Sequence, residues 1–256
     1  MKINLYGYGF VGKAHYEVFK EHHDVNIIDP LYPDLEQKDF DADAAIVCVA
    51  TPQADTGECD MTNVYDVFSK IPKSVPVLIK STISLEGWKS LKEKFSDHSI
   101  NFSPEFLRQD TFLEDFFNME KMYLTGEQLA LWGKLFNPHW QGLKFVVGEP
   151  EELILIKYFR NSFLATKVAF FNQVYDLCEA AGVNFDEVRA GVTQDSRIGS
   201  SHSFVSEERG YSGHCLPKDI TAILKTAETN SANLTLIKEA DRYNSEIRNE
   251  DTANRS

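Results

Sequence analysis

Six residues near the start of the chain, Gly7-Tyr8-Gly9-Phe10-Val11-Gly12, restrict its fold more than any other stretch. They follow the apolar run Lys2–Tyr6, which reads as a strand, and they open a helical pattern over Phe10–Glu21. In that setting a G-x-G-x-x-G is the turn of a dinucleotide-binding unit. Gly7 permits the tight turn, Gly9 lets the backbone approach a pyrophosphate, and Gly12 allows close helix–strand packing. The helix N-terminus, with Phe10 and Val11 in the same loop, faces the phosphate charge. Asp29 ends a second strand, Val25–Asp29. An acid there accepts hydrogen bonds from ribose hydroxyls and repels a 2′-phosphate, and the following Pro30-Leu31-Tyr32 offers no cation. The expected cofactor is therefore NAD.

Beyond this unit, strands and helices alternate. Ala44–Ala50 reads as a strand buried on both faces, Thr62–Lys70 as a helix, Val75–Lys80 as a strand, Glu86–Phe95 as a helix and Ser99–Ser103 as a strand. Met122–Thr125, Glu127–Phe136 and Leu143–Val147 are expected to complete the same layer. Such alternation predicts an α/β domain, a Rossmann-type doubly wound parallel sheet, over residues 1–149. Composition then changes. Glu151–Ala181 lacks Pro and Gly and stops at Gly182, which predicts one long helix as the backbone of an all-helical domain over 150–256. Thr193–Gly213 is rich in Ser and Gly and reads as loop; Ile220–Thr229 and Thr235–Tyr243 read as helices, and the polar tail after Ile247 is expected to fray.

Three polar segments stand at strand ends, where open α/β sheets bind ligands: Val49-Ala50-Thr51-Pro52, Lys80-Ser81-Thr82 and Ser103-Pro104-Glu105-Phe106-Leu107-Arg108. On the long helix, Lys157 and Asn161 share a face at i and i+4. A lysine on so apolar a helix is costly unless it snorkels or is paired. Beside an oxyanion it would act as a positive clamp. Finally, Gly210-Tyr211-Ser212-Gly213-His214-Cys215-Leu216-Pro217-Lys218-Asp219 delivers a thiol from a glycine-rich loop. If a helix starts near Pro217, Cys215 lies at its N-terminus, where the dipole and Lys218 favour the thiolate. The other cysteines, Cys48, Cys59 and Cys178, have no C-x-x-C spacing and read as reduced thiols.

Taken in order, G-Y-G-F-V-G, V-A-T-P, K-S-T, S-P-E-F-L-R, K-x-x-x-N, D-S-R-I-G and G-H-C-L-P-K-D resemble the UDP-glucose/GDP-mannose dehydrogenase family, from Met1 to about Asn244. The resemblance implies oxidation of a sugar C6 alcohol to a carboxylate with two NAD+, through a thiohemiacetal and a thioester on Cys215. By matched position it implies Glu105 as the base for hydrolysis and Thr82 as its water-placing partner. Lys157 and Asn161 become oxyanion stabilisers, and Asp219 orders water and tunes the thiol. Cofactor contacts fall on Gly7, Gly9, Phe10, Val11, Gly12, Asp29, Thr51, Thr82, Gln109 and Lys218. Substrate contacts fall on Glu105, Phe106, Leu107, Arg108, Lys157, Asn161, Ser212, Gly213 and Arg197, the last reaching the sugar of a partner subunit. No metal is implied.

Four departures stand out. Gln109 occupies the place of a family carboxylate. Ser212-Gly213 replaces a glycine pair, with His214 after it. The Asp29–Asp43 connection is shorter than usual. The family also carries a further C-terminal Rossmann-like domain, and this chain stops where that domain would begin, so either an active nucleotide-sugar 6-dehydrogenase or an impaired NAD-binding or assembly module is expected. Two-domain dehydrogenases of the 3-hydroxyacid type share the long helix and K-x-x-x-N but need no thiol. The net charge of −13 argues against nucleic acid and anionic membranes as partners. No apolar run is long enough for a transmembrane helix. A cytoplasmic homodimer built on the long helix, acting on a nucleotide sugar, is the expectation.

Overall fold

Gly7 adopts φ +90° and its N–H donates to the Ile28 carbonyl at 3.0 Å, so the chain leaves the first strand and turns at once into a helix. The computed structural model describes residues 1–254 except Asp39, Asp55, Gln141 and His214, with side chains described as far as Arg248. It divides into two compact units, Met1–Lys157 and Tyr158–Ser256.

The first unit holds β1 (Lys2–Tyr6), α1 (Phe10–Phe19), β2 (Asp24–Ile28), β3 (Ala44–Val47), α2 (Thr62–Phe68), β4 (Val77–Ile79), α3 (Leu85–Lys94) and β5 (Ile100–Phe102). The five strands form one parallel sheet in the order β2-β1-β3-β4-β5. Direction of chain progress reverses between β1 and β3, which is where such sheets hold ligands. The side of the sheet that begins with β1 contains only two strands. Among the described residues, the short Asp29–Asp43 connection returns to β3 through a 3-10 turn, Pro33–Leu35, and no α-helix. Its covering role shows in the strand sequences. Asn4 and Asn26 face each other in register, and the Asn26 amide donates to Asn4 Oδ1 at 2.8 Å while its Oδ1 accepts the Gln37 N–H at 2.6 Å. Polar side chains replace apolar ones where a loop backbone, rather than a helix, lies against the sheet.

After α4 (Phe112–Phe117), β6 (Lys121–Leu124), α5 (Leu129–Phe136) and β7 (Lys144–Val147) do not complete the main layer as expected. β6 and β7 form a two-stranded parallel sheet of their own. The junction is a single exchange at Thr125. Its N–H donates to the Phe102 carbonyl at 3.0 Å and its hydroxyl accepts the Phe102 N–H at 3.1 Å, so a side chain takes the place of the ladder. Ile3, Leu5, Phe19, Phe116, Trp132 and Phe136 are fully buried in the core between sheet and helices.

The long helix α6 (Pro150–Ala181) starts within the first unit and supplies the scaffold of the second. α7 (Phe185–Thr193), α8 (Leu216–Thr229) and α9 (Thr235–Asn254) complete it. Ala165, Val168, Tyr211 and Ile220 form its buried cluster. Two sequence expectations are corrected. α7 was not read from the sequence, although Asn184 caps it by accepting the N–H groups of Asp186 and Glu187, both acids of the first turn. The tail after Ile247 continues as helix, and just ahead of it Arg242 bridges Glu239 and Glu246 along α9.

Candidate active site

The glycine loop separates three tasks. A Cβ on Gly7 would stand 2.8 Å from the Cys48 carbonyl carbon, and one on Gly12 would stand 2.0 Å from the Gly7 carbonyl oxygen. A Cβ on Gly9 would meet nothing within 4 Å, so that residue borders open space at the start of α1. α1 has no side-chain cap and no acid in its first turn, which leaves its N–H groups to an anion. Asp29 ties the loop down: Oδ2 accepts the Tyr8 N–H at 2.6 Å and Oδ1 the Leu31 N–H at 2.8 Å. Each oxygen keeps a further lone-pair direction for a ribose hydroxyl. These features fit a dinucleotide.

At the strand ends, Thr51 donates from its hydroxyl to the Thr82 carbonyl at 2.7 Å, fixing the Lys80-Ser81-Thr82 turn. Lys80 is 3% exposed and Glu105 is 7% exposed, yet their charged atoms stand 3.1 Å apart. Lys80 also donates to Ser103 Oγ at 2.8 Å. Glu105 Oε1 accepts the Phe106 N–H at 2.9 Å. Burial pushes the Glu105 carboxyl up, but the Lys80 ammonium, His15 and the Phe106 N–H outweigh it and hold the group below the usual carboxylate range. Lys157, buried as the apolar helix requires, donates to the Glu105 carbonyl at 2.6 Å and lies 5.9 Å from the Phe106 ring centroid. A cavity of about 90 Å³ lined by Lys80, Glu105, Phe106, Leu107, Asp115 and Tyr123, among others, opens beside the pair. Arg108 and Gln109 point to solvent; Arg108 is paired with Asp115 at 2.5 Å.

In the second unit, α8 begins at Leu216 with Cys215 as its N-cap residue, partly buried. One turn on, Asp219 is 1% exposed. Its Oδ2 accepts from the Asn161 amide at 2.6 Å and its Oδ1 pairs with Lys218 at 2.8 Å. The loop ahead of Cys215 is clamped at Tyr211, whose N–H donates to Asn244 Oδ1 at 2.6 Å and whose carbonyl accepts from Asn244 Nδ2 at 3.2 Å. Ser212 and Gly213 are exposed, and His214 lies outside the described residues. Arg197 is exposed and paired with Asp195 at 2.5 Å. Lys167 donates to the Ile198 and Gly199 carbonyls at 2.7 and 2.8 Å and so shapes the Asp195–Gly199 turn. Among the described residues, no disulfide joins the four cysteines.

Within the first unit, the glycine loop and Asp29 come together, as do Thr51 with Thr82 and Glu105 with Lys157. Within the second, Cys215, Asp219, Asn161 and Lys218 do. Sequence reasoning quoted Lys80 and Ser103 as strand-end residues but gave neither a role. The signal for Lys80 is a lysine closing the buried run Val77-Leu78-Ile79. His15, fully buried on α1, was missed entirely.

The profile of the UDP-glucose/GDP-mannose dehydrogenase family, NAD binding domain, matches residues 31–132, and that of the same family's central domain matches residues 152–246. A UDP-glucose 6-dehydrogenase of Rickettsia conorii is 37% identical over 208 residues, covering 77% of this chain and 48% of the relative. The TuaD UDP-glucose 6-dehydrogenase of Bacillus subtilis is 32% identical over 212 residues, covering 77% and 45%. The chain thus spans about half the length of the curated relatives it matches. A solved UDP-glucose dehydrogenase from Pyrobaculum islandicum superposes with a TM-score of 0.82 at 24% identity, covering 96% of this chain and 68% of that one. No helix among the described residues is long and apolar enough to cross a membrane.

Proposed function

The chain belongs to the UDP-glucose/GDP-mannose dehydrogenase family, and on that premise we propose that it oxidises a nucleotide sugar, UDP-glucose first among candidates, at C6 to the uronic acid. The observation that carries the reading is a thiol at a helix N-cap, with a buried carboxylate one turn on that is tied to an amide and an ammonium. NAD+ held by the glycine loop would supply the hydride acceptor for each of two oxidations, the first of which also releases the C6 hydroxyl proton to water. The Cys215 thiolate adds to the C6 aldehyde left by the first, forming a C–S bond and a thiohemiacetal. Loss of the second hydride from C6 leaves a thioester. Water then attacks that carbon, Glu105 takes the water proton, and the C–S bond breaks to return the thiolate. Lys157 and Asn161 stabilise the oxyanions, Thr82 places the water, and Asp219 orders water and tunes the thiol.

Gly7, Gly9, Phe10, Val11, Gly12, Asp29, Thr51, Thr82, Gln109 and Lys218 hold the cofactor. Glu105, Phe106, Leu107, Arg108, Lys157, Asn161, Ser212 and Gly213 hold the sugar nucleotide, with Arg197 serving a second copy. Phe159, Phe163, Phe170 and Leu177 are exposed along α6 and support a homodimer built on that helix. Cysteines outside any disulfide among the described residues support a cytoplasmic setting. The test is a count of NADH per sugar consumed, with UDP-glucose, UDP-N-acetylmannosamine and GDP-mannose offered in turn. Two NADH per sugar is the expected result. One would point to a simple alcohol dehydrogenase, and none to an NAD-binding or assembly module.

A further inference from the structure

Glu105 is asked to act as a base in the reading above, yet it is buried, and an isolated buried carboxyl is neutral at pH 7. Something must keep it ionised. Four groups surround it in the first unit. Lys157 donates to the backbone carbonyl of Glu105, at 2.6 Å. His15 on α1 is pulled down to about 4 by burial and by Lys80, so at neutral pH it carries no charge. The Cys48 thiol, after β3, is pushed up by burial and stays a thiol. Lys80 places an ammonium 3.1 Å from the carboxylate itself. Across the adjoining cavity lie Asp115, which Arg108 neutralises, and Lys121 at the start of β6.

Lys80 is also held in position. It closes β4, and its N–H donates to the Val47 carbonyl at 2.8 Å. Its ammonium is shared with Ser103 Oγ, two residues before Glu105 on the segment leaving β5. The two strand ends that carry the acid and the base of the pair are therefore adjacent in the sheet, fixed by the Ile79–Phe102 register. Lys80 is buried, so it does not serve as a surface charge.

We propose that Lys80 is a positioning residue for the hydrolytic step: its buried ammonium, oriented by Ser103, keeps Glu105 ionised and aimed for proton abstraction from water. The inference rests on the reading of Glu105 as base, and the two can be tested apart. The Glu105 carboxyl is followed by 13C NMR in the full chain, with Glu105→Gln giving the assignment. Lys80→Met is expected to raise its midpoint by about two units or more, and Ser103→Ala by less; Lys80→Arg is expected to restore most of the shift. In the presence of UDP-glucose and NAD+, Lys80→Met should also slow thioester hydrolysis at pH 7 by about tenfold or more. Intact-protein mass then shows an acyl adduct on Cys215 that clears only at higher pH. An unchanged Glu105 midpoint in Lys80→Met overturns the inference whatever the activity. A raised midpoint with unchanged adduct lifetime overturns the role of Lys80 in the reaction and locates the base elsewhere. Should the unaltered chain form no adduct, the functional reading fails and the midpoint alone decides the pair.

Discussion

The Asn244 side chain, on α9, pairs with both backbone groups of Tyr211, accepting its N–H and donating to its carbonyl. A side-chain amide thus completes the backbone of the loop that leads to Cys215. Gly210 is tailored to it, since a Cβ there would stand 2.3 Å from Asn244 Oδ1. Asn244→Ala strands two buried backbone groups and should cost about 1–3 kcal/mol in urea unfolding. Iodoacetamide should label Cys215 faster in that variant; equal labelling rates would show that the clamp does not govern the thiol's access.

Cys215→Ser should retain NAD binding, because the glycine loop and Asp29 lie in the first unit. It should block the second oxidation, leaving at most one NADH per sugar. Full conversion to the uronic acid by the serine variant would eliminate the covalent route.

Asp29 presents its carboxylate beside the glycine loop, with no cation among Pro30-Leu31-Tyr32. NAD should be preferred to NADP by several kcal/mol, on the order of a hundredfold or more in kcat/KM. Asp29→Ser should narrow the gap, though it also loosens Tyr8. Comparable constants for both cofactors in the unaltered chain would contradict the assignment.

His15 carries a pH dependence of stability. Its folded pKa is lowered to about 4 from an ordinary value near 6.5. The folded state therefore binds the proton less readily than the unfolded chain does. Stability from this group is fully present above about pH 6.5 and declines as the pH falls toward 4, by up to about 3 kcal/mol. Thermal unfolding followed across that window should show a decline that His15→Phe flattens. A parallel decline in both proteins would assign the effect to other groups.

Phe163 is 69% exposed and Leu177 is 71% exposed on the same helix. Phe163→Glu should shift light-scattering mass from dimer toward monomer while leaving NAD binding in place. A monomeric, fully active parent protein would remove the basis for the assembly.

Much of the first unit was legible because its signals are local. The glycine spacing, the apolar strands and the polar strand ends lie in short windows, and β1 to β5 fall within a few residues of their expected places. The separate pairing of β6 with β7 was not legible, because Thr125 replaces a ladder bond by a hydroxyl and nothing in its own sequence marks that. α7 carried its cap, Asn184, in plain view, but its apolar positions are few and none of its residues is buried. The Lys80–Glu105 pair was half legible. Each residue stood in a quoted segment, but the partnership depends on the β4–β5 register, which one sequence does not state.

The bare Asp29–Asp43 crossover also bears on how the protein comes to fold. A standard first half would run through a further helix and strand before the chain could return to β1's other side. Here β2 and β3 flank β1 with only a short span to close. Each doubling of a loop costs about 0.6 kcal/mol of chain entropy, and short-range pairing speeds folding. The corner made by β1, β2 and β3, latched by Asn26 onto Gln37, is therefore the part of the sheet best placed to form first, carrying the glycine loop with it before the later strands arrive.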